Sequence, residues 1–187
     1  MGQMWRSHEK INFKKMLGEL ITSKTRLRLL IKFFISQANR GYLNGLATEM
    51  GESTNAIRKE LNHLQGAGYL EKVKVNNKVE YKANIKHPLF EVLRKVVLKH
   101  LGLEDIVETV LARMGDVDQI ILIGDYAKGK DTGLIEVFLI GKGLNMDYIA
   151  QLEEKIEKLI GRNVSFYLAS KFISDQEHIL LFNSKED

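Results

Sequence analysis

Apolar residues recur along this chain at two different periods. Between Ser23 and Ala38, Leu27, Leu30, Ile31, Phe34 and Ile35 return at spacings of three and four, with Arg26, Arg28 and Lys32 between them. That spacing predicts a long amphipathic helix with Ser23 as its N-cap. Asn39-Arg40-Gly41 breaks the pattern. Leu46 to Met50 predicts a short helix stopped by Gly51, and Ser53 caps a third helix that runs to about Gln65 before Gly66-Ala67-Gly68. At about 100° per residue, Ile57, Leu61 and Leu64 fall on one side of this third helix. Asn55, Arg58, Lys59 and Asn62 fall on the other. From Lys72 to Lys82 the period becomes two on both sides of Asn76-Asn77, a pair that tolerates positive φ, so a β-hairpin is expected. Its polar face is expected to carry Lys72, Lys74, Lys78 and Lys82. His87-Pro88 then opens a helix on which Leu89, Leu93, Val96, Val97 and Leu101 repeat to Gly102. Ile11, Phe13, Met16, Leu17, Leu20 and Ile21 predict an amphipathic element ahead of all of these.

The second half alternates element types. Gln119 to Ile123 and Leu134 to Ile140 are apolar strands around a glycine-bounded turn, Gly124-Asp125-Tyr126-Ala127-Lys128-Gly129. Met146 to Ile160 has helical spacing, with Ile149, Leu152, Ile156 and Leu159 on one side. Asn163 to Leu168 is a third strand. The β-α-β-α-β order predicts a small α/β domain. The expected organisation is an N-terminal segment at 1–22, a helical and hairpin domain at 23–86, a linker helix at 87–102 and an α/β domain at 103–187. The fold class is therefore two-domain, α+β followed by α/β.

Composition narrows the chemistry. The 187 residues include no cysteine, which excludes a disulfide scaffold, a thiol nucleophile and a thiolate metal site. No apolar run approaches the ~18 residues of a membrane span, and the first fifteen residues lack the apolar core of a secretory signal. A cytoplasmic protein with no membrane partner is expected. The net charge of +4 conceals a division: residues 1–100 hold 19 Lys and Arg against 8 Asp and Glu, and residues 101–187 hold 9 against 16. The halves carry +11 and −7. A basic half attracts a phosphate backbone, because bound Lys and Arg release its counterions.

Leu46-Ala47-Thr48-Glu49-Met50-Gly51-Glu52-Ser53-Thr54-Asn55-Ala56-Ile57-Arg58-Lys59-Glu60-Leu61-Asn62-His63-Leu64, followed by Gly68-Tyr69-Leu70, resembles the ArsR-type winged helix-turn-helix transcriptional regulators over about residues 20–85. The resemblance implies that Thr54, Asn55, Arg58, Lys59 and Asn62, with Ser53 at the helix start, face the major groove of double-stranded DNA, and that the hairpin lysines contact its backbone. It also implies a homodimer, as two-fold operators require. Metal-sensing members use cysteine or clustered histidine. Here His8, His63, His87, His100 and His178 are scattered, so no metal is expected.

Gly124, Tyr126-Ala127, Lys128 and Gly129 between two strands resemble the glycine turn of minimal nucleotidyltransferases over about residues 88–175. The family pattern is Gly-Ser-x-Ala-x-Gly, then a strand with Ser-Asp-x-Asp whose two aspartates hold catalytic metal ions. Asp125 stands at the serine position. Gly133-Leu134-Ile135-Glu136 stands at the strand motif, so Leu134 replaces the first carboxylate and Glu136 alone remains. Val164-Ser165-Phe166-Tyr167 supplies no third. Gly124, Asp125, Gly129 and Glu136 are therefore expected to be remnants of a nucleotide site, with no cofactor and no catalytic residue. The expectation is a DNA-binding transcriptional regulator, not an enzyme. Its second domain, a pseudoenzyme, would serve dimerisation, sensing of a small-molecule effector or binding of a protein partner. A residual nucleotidyltransferase and an antitoxin-like partner-binding module are the alternatives.

Overall fold

A computed structural model describes residues 21–185, and it divides at His100/Leu101 into two compact units. The N-terminal amphipathic element lies outside the described residues except for Ile21.

In the first unit, helix α1 (Lys24–Phe34) is followed by strand β1 (Arg40–Tyr42), helices α2 (Leu43–Met50) and α3 (Thr54–Gly66), strands β2 (Leu70–Val75) and β3 (Lys78–Ala83), and helix α4 (Phe90–Leu101). Ser23 caps α1 through its hydroxyl, which accepts the Arg26 N–H at 3.1 Å. The helix stops four residues short of Ala38. Its last turn is closed from outside, because the Asn39 amide donates to the Lys32 carbonyl at 2.7 Å. Leu29, Leu30, Ile31, Phe33 and Phe34 are all buried, so α1 is a central helix rather than a one-sided one. Gly51, at φ 63°, makes the left-handed stop between α2 and α3.

Strand β1 was not expected. Three residues are too few to show a period of two. It joins the hairpin in a sheet of order β1-β3-β2, all antiparallel. Asn76 and Asn77 take φ of 47° and 62°, the conformation that a two-residue hairpin turn requires. This turn sets the register, and the register corrects the expected lysine face. Lys72 pairs with Tyr81, Lys74 with Val79 and Val75 with Lys78, so even-numbered residues of β2 lie opposite odd-numbered residues of β3. Directly paired residues project from the same side of a sheet. Lys72 and Lys74 therefore share one face with Leu70, Val79, Tyr81 and Ala83. Lys78 and Lys82 project from the other, with Glu71, Val73 and Glu80.

The second unit begins with helix α5 (Leu103–Arg113) and continues through strand β4 (Asp116–Ile123), the one-turn helix α6 (Gly124–Ala127), strand β5 (Leu134–Lys142), a 3-10 turn (Met146–Tyr148), helix α7 (Ile149–Ile160), and strands β6 (Asn163–Ala169) and β7 (Ile179–Asn183). Helix α5 and strand β7 extend the expected order. The α5 signal was present in Leu103, Ile106 and Val110, all now buried. The sheet order is β6-β5-β4-β7. Only β5 and β6 run parallel, so the sheet is mixed. Helices α5 and α7 pack against it, over Ile120, Leu122, Ile135, Val137 and Leu139. The alternate positions of the same strands form a second face.

Candidate functional site

Helix α3 displays the polar row expected from its period. Thr54, Asn55, Arg58, Lys59 and Asn62 are exposed, while Ile57, Leu61 and Leu64 are buried. Ser53 is occupied as the N-cap, its hydroxyl accepting the Ala56 N–H at 3.1 Å. The Arg58 guanidinium donates to the Asn55 side-chain oxygen at 3.3 Å, so two members of the row already touch. Such a row can pair with base edges and phosphates.

What fixes the row in space is a residue on the other side of the helix. Glu60 is only 6% exposed, and its carboxylate accepts from Arg26 Nε of α1 at 2.7 Å. Burial drives the Glu60 pKa upward, but hydrogen bonds from Arg26 and Ser23 outweigh it and hold the group below the ordinary carboxylate value. Helix α2 is tied to α1 by Arg28, which donates to the Met50 carbonyl at 2.5 Å, and by Lys32, which meets Glu49 at 3.2 Å. Sequence reading assigned no role to Arg26, Arg28 or Glu60. The available signal was a carboxylate at helical spacing from Ile57 and Leu64 and next to Leu61, on the apolar side of the helix.

The hairpin lysines are unequal. Lys72, Lys74 and Lys78 are exposed, whereas Lys82 is held by the directly opposite Glu71 at 3.2 Å. Glu80 accepts from the Tyr42 hydroxyl at 2.7 Å and lies 3.9 Å from Arg40. The face of Lys78 and Lys82 thus carries two carboxylates, one of them paired with Lys82, whereas the hairpin residues that share a face with Lys72 and Lys74 include none.

In the second unit the glycine turn leads from β4 through α6 into β5. Gly124 sits at φ 69° with the Glu136 carboxylate directly against it, so a side chain there would collide with that carboxylate. The structure thus brings Gly124 and Glu136 together. Asp125 contributes its backbone, accepting the N–H groups of Lys128 at 3.0 Å and Lys130 at 2.9 Å, and Gly129 is buried with its N–H on the Tyr126 carbonyl at 2.9 Å. Glu136 accepts from the Tyr167 hydroxyl at 3.1 Å, and its carboxylate raises the Tyr167 pKa. Leu134 offers no donor atom. Two divalent ions need several converging carboxylates, and this donor set does not fit them. No cluster of three or more His, Asp or Glu that could hold a metal occurs among the described residues.

The turn is locked by a network that sequence reading missed. Tyr126, fully buried, donates its hydroxyl to the Asp131 carboxylate. The same oxygen accepts the Gly133 N–H at 3.2 Å and Arg162 Nε at 3.1 Å. Arg162 closes the ring on Asp131 at 3.1 Å. Burial, and then the Asp131 carboxylate, push Tyr126 up to about 12. No sequence motif links positions 126, 131 and 162, because the ring closes only when β6 lies beside β5.

No family model matches this chain, and no curated protein matches it. The structure of reduced HlyU from Vibrio cholerae is similar at 16% identity and a TM-score of 0.36, over 53% of this chain and 96% of that one.

Proposed function

We propose that the protein binds double-stranded DNA in a sequence-specific manner and regulates transcription as a homodimer. Residues 23–86 form its winged helix-turn-helix. The observation that carries the reading is the row Thr54, Asn55, Arg58, Lys59 and Asn62, exposed on a helix whose opposite side is buried and pinned by Glu60 to α1. A short helix precedes it and a basic hairpin follows it, in a half-chain of charge +11. Helix α3 enters the major groove, and Lys72 and Lys74 meet the phosphate backbone.

The second unit is not catalytic in this reading. It serves dimerisation, sensing or partner binding, with Gly124, Asp125, Gly129 and Glu136 as remnants of a nucleotide site. Incubation with labelled nucleoside triphosphate and magnesium tests this part. Turnover that disappears in Glu136→Ala would overturn it.

The test of DNA binding measures the protein on its own upstream DNA and on random DNA across a salt series. Specific binding at least ~1000-fold tighter than non-specific binding supports the regulator. Arg58→Ala with Lys59→Ala should weaken the specific complex by about 2–4 kcal/mol, one to three for a base-reading arginine and the rest for a phosphate contact. Equal weak binding to both DNAs, or a double variant with unchanged affinity, would reject the assignment of α3.

A further inference from the structure

The second face of the unit-two sheet is an interaction surface in its own right. Strand alternation and register place Leu134, Glu136 and Phe138 of β5 on it, with Tyr167 of β6 beside Phe138 and Leu180 of β7 paired to Ile121. Leu134 is 40% exposed, Tyr167 42% and Leu180 40%, on the side of the sheet opposite Val137 and Leu139. Phe138 packs against the Tyr167 ring at 5.4 Å and the Phe172 ring at 5.3 Å. The middle of the face is covered, since Ile121 is 3% exposed and Phe138 lies against Phe172, whose ring also meets His178 at 4.9 Å; the open apolar and aromatic positions are Leu134 and Tyr167 on one side and Leu180 on the other.

Its charge is negative. Glu136 lies in the face, and Glu153 is close enough to raise the Tyr167 pKa along with it. Asp175 and Glu177 are exposed on the segment between Phe172 and His178, and Lys171 just before it leaves that stretch net negative by one with His178 neutral. The unit as a whole carries −7. The β6 edge is closed to an added strand, because Glu157 accepts the outward N–H of Val164 and Glu153 that of Phe166, each at 2.9 Å. A partner at this end of the sheet must therefore lie on the face. A second copy of the same face would set like charge against like charge, and an anionic lipid surface would be repelled.

We propose that this face binds a cationic protein segment, one that alternates apolar side chains with arginine or lysine. The apolar side chains cover Leu134 and Leu180, the exposed aliphatic positions of the face. The cations lie over the Tyr167 and Phe172 rings and against Glu136, where aromatic faces and a carboxylate attract them. This reading concerns the second unit and is independent of DNA binding by the first.

The test uses the full chain and two peptides, acetyl-Leu-Arg-Tyr-Lys-Leu-amide and its counterpart with glutamine at both cationic positions, followed by NMR of aromatic and methyl signals. The basic peptide should shift the signals of Tyr167, Phe172, Leu134 and Leu180 and bind about fivefold more tightly than the neutral one. Glu136→Gln should reduce that preference, and Leu180→Ser should weaken both peptides. The dispersion of the Tyr126, Val137 and Leu139 signals, which come from buried residues of the same unit, reports that each variant is still folded. Absence of binding at millimolar peptide, equal affinity for both peptides, or shifts confined to other residues would overturn the proposal. So would self-association of the protein alone that Leu180→Ser abolishes, since the occupant would then be a second copy.

Discussion

Tyr126 is a fully buried titratable side chain of the second unit. Its hydroxyl donates to Asp131 and accepts from Arg162 and Gly133, so no water is needed to satisfy it. Tyr126→Phe keeps the ring and strands those partners. A loss of about 1–3 kcal/mol is expected in urea unfolding at neutral pH. The pH dependence follows from the raised pKa. The folded protein holds the phenol neutral up to about 12, against 10.0 ordinarily. Stability from this group is complete below pH 10 and is lost as pH rises toward 12. Wild type should lose stability across that window, and Tyr126→Phe should lose less, measured as unfolding midpoints from pH 9 to 12. Little of this was legible beforehand. Tyr126 was visible as part of a glycine turn, but Asp131 and Arg162 are 31 residues apart and meet only through strand pairing. The exposed row of α3, in contrast, follows from helical geometry alone and stood where the period placed it.

Elements were readable where a period ran long enough. Helices α3 and α7 and the hairpin announce themselves by spacing and by their turn residues. Strand β1, at three residues, and the pairing partners of β7 carry no such signal. Edge treatment is likewise invisible in one dimension. Glu153 and Glu157 look like the outward face of α7, yet they reach across to the backbone of β6. An edge strand with free N–H groups is a template for pairing with another chain. Glu153→Ala with Glu157→Ala should therefore act twice. It should destabilise the unit by about 1 kcal/mol or more for each acceptor removed, and should produce concentration-dependent association visible by light scattering. The wild-type protein under the same conditions supplies the baseline.

At the scale of the whole molecule the division of charge is the governing property. A chain of net charge +4 carries a half at +11, so its affinity for a polyanion follows the half and not the sum. Salt should weaken DNA binding steeply, and the hairpin should contribute unevenly. Lys72→Ala with Lys74→Ala should reduce the slope of log affinity against log salt by about 2, one for each phosphate that is no longer neutralised. Lys82→Ala should leave it nearly unchanged, because that ammonium is already held by Glu71 at 3.2 Å. Slopes from binding isotherms at four or five salt concentrations decide between these outcomes. The composition of the two halves showed the division from the start. What it did not show was how the hairpin distributes its share, since alternation within each strand is silent about the turn between them.

That distribution is fixed at the Asn76-Asn77 turn. The pairing is held at its far end as well, because β3 is also paired to β1 and buries Ala83 opposite Leu70. A residue gained in the turn would be absorbed as a longer loop, with Val75 still opposite Lys78 and each lysine on its present face. A residue gained or lost inside β2 or β3 has no such outlet, since it turns every later side chain of that strand to the opposite side. The electrostatics of the hairpin thus tolerate changes of loop length and not changes of strand length.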